Sequence, residues 1–180
     1  MSGHNKWSKI KHKKAATDAQ KSKIFSKHAA VITMESRRVK GDASAPSLIA
    51  AIERAKKDSM PKDNIERAVA KGIGATGDTF EEVVFEGFGP GGTAMIITAI
   101  TDNNNRTAPE VRTIFTKAGF SLGAPGTALW AFIKEDGEYR PLNPVTLSET
   151  DSESLLILID KLIEHDDVQE VFTTADLTLE

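Results

Sequence analysis

Apolar positions recur at helical spacing in the first part of the chain and mostly at strand spacing in the second. Phe25, Ala29, Ile32, Ser36 and Val39 stand four and three residues apart, one stripe of a helix that begins near Thr17. Lys23, Lys27, Arg37 and Lys40 fall mainly off that stripe, and Gly41 is placed to end the helix as its C′ residue. Pro46 suits the first position of a second helix, whose apolar face is Leu48, Ile49, Ile52 and Ala55. In "DSMPKDNIERAVAKG" Pro61 sits in the first turn of a third helix, Ile65, Ala68 and Val69 face inward, and Gly72 closes it. Residues 17–72 therefore read as a three-helix domain. The stretch "GIGATGD" (72–78) reads as a linker.

Beyond the linker "FEEVVFEGF" and "TAMIITAIT" are strand-like, joined by the turn "GPGG". "APEVRTIFTKAG" is helical, with Pro109 in its first turn, Val111, Ile114 and Phe115 inward, and Gly119 at its end. "GTALWAFIK" reads as a strand and "DGEYRPLNP" as a loop with two prolines. "SETDSESLLILIDKLIEHD" is a helix whose acidic start suits its dipole, and "VQEVFTTAD" is a last strand. The order β-β-α-β-α-β predicts an α+β domain over residues 79–180, a mixed or antiparallel sheet with helices on one face.

Charge separates the two parts. Residues 1–71 hold 17 Lys and Arg against 7 Asp and Glu, while residues 72–180 hold 6 against 19. A clustered excess of positive charge points to a polyanion partner, nucleic acid before any other. Residues 1–16 are too basic and too poor in apolar side chains to pack, and read as a flexible arm. Lys6, Lys9, Lys11, Lys13, Lys14, Lys21, Lys23 and Lys27 are candidate phosphate contacts, with His12 among them. Six or more such contacts on a duplex would give a log K against log salt slope near −5 or steeper, roughly −0.9 for each phosphate. The arm has no Arg, so little bidentate base reading is expected of it. Trp7 has two readings, an anchor of the arm on the body or a stacking partner for a base, the latter worth about 1–3 kcal/mol.

Other chemistries are poorly served. The chain has no cysteine, hence no disulfide and no thiolate site, which fits a reducing, cytoplasmic setting. No apolar run approaches the roughly 20 residues of a membrane span. His4, His12 and His28 match no common metal-ligand spacing, so no metal is expected. "EGFGPGG" (86–92) is glycine-rich but is followed by a strand, where a phosphate loop needs a helix. No nucleophile elbow, zinc helix or Walker loop is present, so neither a catalytic residue nor a small-molecule substrate is expected. In "TDNNNRTAPEVR" (101–112) three asparagines and Arg106 stand where a strand gives way to a helix. Thr107 and one asparagine suffice to cap that helix. Asn103, Asn105, Arg106 and Thr107 are also suited to hold a phosphate at the helix N-terminus.

"GHNKWSKIKHKKAATDAQKSKIFSK", "MPKDNIERAVAKG", "FEGFGPGG", "TDNNNRTAPEVR" and "HDDVQEVFTTAD" together resemble the YebC family, in order from Gly3 to about Asp176. That family includes the mitochondrial translational activator of cytochrome c oxidase. The resemblance implies a non-enzymatic gene-expression factor that works on nucleic acid without a cofactor. What the resemblance implies for its action is either a DNA-binding transcriptional regulator or a translation factor at the ribosome that relieves stalls at proline-rich stretches. By position, Lys6, Lys9, Lys11, His12, Lys13 and Lys14 fall on the family's basic start, with Lys13 where Arg is usual. Asp102, Asn103, Asn105, Arg106 and Thr107 fall on its Asn-Arg element. Family members usually carry a third domain inserted in the second. Here "FIKEDGEYRPLNPVTL" runs almost directly into the closing helix, so that domain is expected to be absent near 135–145. The reading preferred is a ribosome- or RNA-associated factor, with DNA regulation as the rival and a protein-docking adaptor as the second rival.

Overall fold

The computed structural model describes residues 18–74 and 80–177. Of these, 18–74, 80–82 and 100–104 form one compact unit, and 83–99 with 105–177 form another.

Three helices make the first unit: α1 (Asp18–Arg38), α2 (Pro46–Lys57) and α3 (Lys62–Gly74). Their core is Ile32 from α1, Leu48, Ala51 and Ala55 from α2, and Ile65 and Ala68 from α3, with Met60 between α2 and α3. The stripe read from the sequence is the buried one, and Ser36 at its centre is fully buried. Its hydroxyl donates to the Val69 carbonyl at 2.8 Å, and the Thr33 hydroxyl donates to that of Ala68 at 3.2 Å. Gly72 does not close α3, which runs on to Gly74. It is buried where α3 lies against α1, and a Cβ there would stand 2.5 Å from the Thr33 carbonyl oxygen. The glycine is thus a contact point between helices rather than a stop signal. Two left-handed residues end α1, Lys40 (φ 52) at the C′ place and Gly41 (φ 77) after it, and the Gly41 N–H donates to the Ser36 carbonyl at 2.8 Å. Met60 N–H reaches the Ala55 carbonyl in the same way after α2, with Ser59 (φ 63) turning the chain without a glycine. His28 Nε2 lies 2.6 Å from Asp58 Oδ2 at the C-cap of α2 and ties α1 to it.

The second part carries β1 (Glu81–Phe88), β2 (Ala94–Thr101), α4 (Asn104–Lys117), β3 (Ser121–Leu122), β4 (Phe132–Glu135), β5 (Glu138–Pro141), α5 (Glu149–Ile163) and β6 (Val168–Thr173). The main sheet has the order β3-β1-β2-β6, with β3 antiparallel to β1 and β6 antiparallel to β2. A short 3-10 turn at Pro90–Gly92 joins β1 to β2, a connection only antiparallel neighbours can use. Met95 and Ile97 of β2 point to the side where Val111 and Phe115 of α4 meet Leu155, Leu158 and Leu162 of α5. Both helices therefore cover one face, as an α+β fold requires. Val168 and Val171 both enter this core although they are three residues apart. A register shift between Thr98 and Ala99 brings them to the same side.

The region 121–141 departs from expectation. The strand expected across "GTALWAFIK" is only β4, and it lies outside the main sheet, paired with β5. The strand beside β1 is the two-residue β3. Glu86 supplies the reason. Its carboxylate is buried and accepts the N–H groups of Gly126 (2.6 Å), Ala128 and Leu129 (both 2.8 Å). Those donors are held in a turn and cannot join a ladder. Burial works to raise this carboxyl, and the three backbone donors outweigh it, holding the group below the ordinary glutamate range. The stretch expected as a loop contains β5, turned back from β4 by Asp136 (φ 51) and Gly137 (φ 86). Leu142 N–H bonds the Ala131 carbonyl at 2.9 Å, so Pro141, one place along, faces its missing N–H away from β4. Phe132 and Tyr139 of the hairpin pack with Ile96 and Phe172 on the sheet face opposite the helices.

Candidate nucleic-acid interface

The arm residues Lys6, Trp7, Lys9, Lys11, His12, Lys13 and Lys14 lie outside the described residues. The basic candidates that follow are on α1. Lys21 and Lys23 are exposed and Lys27 is half-buried. Lys23 and Lys27 are four residues apart and share a face, whereas Lys21 stands about 200° around the helix from Lys23. The three do not form one row.

The third helix is where a DNA reader would present base contacts. Its polar candidates are engaged locally. Arg67 donates to the Asn64 side chain and to the Asp63 carbonyl (3.3 Å), both on its own helix. Lys62 pairs with Glu66 at 3.5 Å, and Lys71 lies over the Phe80 ring at 5.2 Å. Bidentate base recognition needs a guanidinium or amide edge turned outward, and Arg67 and Asn64 spend theirs on each other.

The Asn-Arg stretch lies at the start of α4. That helix begins at Asn104, five residues before Pro109, so the proline is inside it rather than in its first turn. Thr101 Oγ accepts the N–H of Asn103 at 2.9 Å. Thr107 does not cap. It is fully buried and donates its hydroxyl to Asp167 Oδ2 at 2.6 Å. Arg106 donates to the same oxygen at 2.8 Å, with its side chain 45% exposed. Asn103 and Asn105 are exposed. Arg106, Asn103 and Asn105 are thus at the surface, and Thr107 serves from behind. Asp167 belongs to the turn between α5 and β6, 61 residues from Arg106. Burial works to raise its carboxyl, and the Thr107 hydroxyl and the Arg106 guanidinium outweigh it, holding the group below the ordinary aspartate range. Nothing local in the sequence joins these two stretches. Only the fact that both are among the segments carrying the family resemblance hinted at a shared role.

Among the described residues no cluster of three or more His, Asp or Glu is placed to hold a metal, and no helix is long and apolar enough to cross a membrane.

Profiles of known families match on both sides of the linker. Residues 5–75 match the TACO1/YebC protein N-terminal domain, and residues 80–137 match the TACO1/YebC second and third domain. The chain belongs to the TACO1/YebC family. A probable transcriptional regulatory protein of Geobacter sp. (strain M21) is 36% identical over 241 aligned residues, which take in 100% of this chain and 98% of that protein. One from Desulfatibacillum aliphaticivorans is 46% identical over 183 residues, 98% of this chain and 72% of that one. A solved structure, a conserved hypothetical protein of Aquifex aeolicus, superposes with a TM-score of 0.84 at 32% identity, covering 95% of this chain and 96% of that one. The Geobacter alignment is 241 positions long and this chain supplies 180 residues to it, so at least 61 positions of the relative have no counterpart here.

Proposed function

We propose that this YebC-family chain is a gene-expression factor that binds nucleic acid through its phosphates, with ribosomal RNA as the preferred target, and that it acts by occupying a position rather than by chemistry. The observation that carries the reading is the charge division, 17 basic against 7 acidic residues up to residue 71 and 6 against 19 beyond it. The first part attracts a polyanion and the second is repelled by it, so binding is assigned to the first. The local engagement of Arg67, Asn64, Lys62 and Lys71 on and beside α3 supports reading of charge and shape over reading of bases. Arg106, Asn103 and Asn105 at the start of α4 supply a second, smaller contact.

The relatives' names, probable transcriptional regulatory protein, support the rival in which the phosphates belong to duplex DNA. A domain organisation of arm (1–16), helical domain (17–72) and α+β domain (79–180) without the family's third domain goes with the proposal. The 61 unmatched positions support that last point, as does the end of the second profile match at 137, on the Asp136–Gly137 turn. Whatever target choice the third domain confers on relatives is then missing here.

Cosedimentation with ribosomes over a salt series tests the proposal, with duplex DNA in parallel and a variant lacking residues 1–16. Saturable ribosome binding at salt that strips the duplex, lost with the arm, supports it. Sequence-specific duplex binding without ribosome pelleting refutes it in favour of the transcriptional reading.

A further inference from the structure

Two stretches distant in sequence close into one polar network in the α+β unit. Asp167 Oδ2 takes both the Arg106 guanidinium (2.8 Å) and the buried Thr107 hydroxyl (2.6 Å). The N–H of Asp167 donates to His165 Nδ1 at 3.1 Å. An Nδ1 that accepts leaves the ring proton on Nε2, and Nε2 lies 2.8 Å from Glu110 Oε2, to which it donates. Glu110 is four residues after Arg106, on the same face of α4. The α5–β6 turn is therefore fastened to α4 twice, at its first turn through Asp167 and one turn later through His165. Thr107 fixes the backbone and Asp167 fixes the direction of Arg106, whose side chain stays 45% exposed. A guanidinium held from behind by a carboxylate has less freedom to lose when it meets a phosphate.

We propose that Asp167 is a positioning residue for nucleic-acid binding: it presents Arg106 to a phosphodiester, with His165 and Glu110 holding the turn that carries it. This rests on the proposed nucleic-acid reading of the α4 start. The opposing physical expectation is that a carboxylate beside an arginine cancels its charge and repels phosphate. The two have opposite signs for the same substitution, so they separate cleanly.

The experiment measures binding of a fluorescently labelled ribosomal RNA hairpin by anisotropy, well below the melting temperature of each variant, for R106A, D167N, D167E and the double variant R106A/D167N. The expected result is a loss of about threefold to tenfold for R106A and a salt slope shallower by about 1. D167N is expected to lose a similar factor although it removes a negative charge, D167E to recover most of it, and the double variant to bind no worse than R106A. A purely structural role for Asp167 would lower thermal stability without moving affinity, and would overturn the proposal. Binding by D167N as tight as or tighter than the parent overturns it, as do additive losses in the double variant. If R106A binds as the parent does while loss of residues 1–16 abolishes binding, the α4 contact fails and the proposal with it, and the arm reading stands. If neither change affects binding, the α4 contact and the arm contact both fail and the proposal with them; if the parent itself does not bind the hairpin, the nucleic-acid reading has failed.

Discussion

Replacing Glu86 by Gln changes one atom's chemistry and should cost the α+β unit a large part of its stability. In the parent, one carboxylate oxygen accepts from Gly126 and the other from both Ala128 and Leu129. A glutamine can turn its carbonyl to only one side, so its NH2 group faces at least one backbone donor. Hydrogen bonds to a charged acceptor contribute about 1.5–3 kcal/mol each and neutral ones about 0.5–1.5, and a buried donor left unmade costs about 1–3. Two charged bonds weakened to neutral, at about 1–1.5 kcal/mol each, and one donor stranded give a loss of about 3–6 kcal/mol. Urea unfolding reads this as a lower midpoint at unchanged m. In a Trp7→Phe background the chain's one remaining tryptophan is Trp130, whose indole N–H donates to the Thr127 carbonyl at 2.6 Å within the same turn. Its fluorescence should shift with E86Q in the native state. The pH dependence has a fixed sign. The folded carboxyl titrates below its ordinary value of 4.5, so its contribution is complete above that value and is lost as pH falls through the folded one. The gap between parent and E86Q should therefore narrow only in acid. A midpoint change worth less than about 0.5 kcal/mol at neutral pH, the noise of a surface substitution, would refute the role given to this carboxylate.

Gly72→Ala should destabilise the helical unit by about 1–3 kcal/mol, since the new methyl would meet the Thr33 carbonyl and Ser36; a gain of about 0.5–1 kcal/mol, normal for glycine replacement in an open helix, would show that α1 and α3 do not touch there. Ser148→Ala removes the hydroxyl that accepts the Asp151 N–H at the N-cap of α5 and should cost about 1 kcal/mol by urea unfolding, with Ser148→Asp close to neutral. Asp167 titrates below its ordinary value of 3.8, so the stability it adds is complete above that value and disappears as pH falls through the folded one; in D167N the acid limb of a stability–pH profile should be flatter.

The helices were legible because their stripes are local: Ile32 and Ser36, four apart, are both buried. What the sequence left hidden depends on long-range partners. Gly72 reads as a stop until α1 is seen lying against it. "GTALWAFIK" reads as a strand from its short apolar run, but Glu86, forty residues earlier, claims the backbone donors of its first half. The β4–β5 hairpin had a local signal, the Asp136–Gly137 pair, outweighed in the reading by the prolines beyond it; Pro141 sits at the position where a strand tolerates it. In the candidate site, Arg106 and the exposed asparagines stood out as residues that capping did not require. Thr107 reads as a cap or a phosphate contact because nothing near it in the chain discloses Asp167. His165 and Asp167 cannot be joined to Arg106 and Glu110 by spacing, since the rest of α4, β3, the hairpin and α5 separate them.

The central claim is that the basic first part of this chain binds nucleic acid through phosphates, and the salt dependence of RNA binding tests it most directly. Anisotropy of the ribosomal RNA hairpin with the full chain and with the variant lacking residues 1–16 gives two slopes of log K against log salt. The account predicts a slope of about −4 or steeper for the full chain, at roughly −0.7 to −0.9 per phosphate, and one shallower by at least about 2 without the arm. Slopes near zero, or equal with and without the arm, would contradict it.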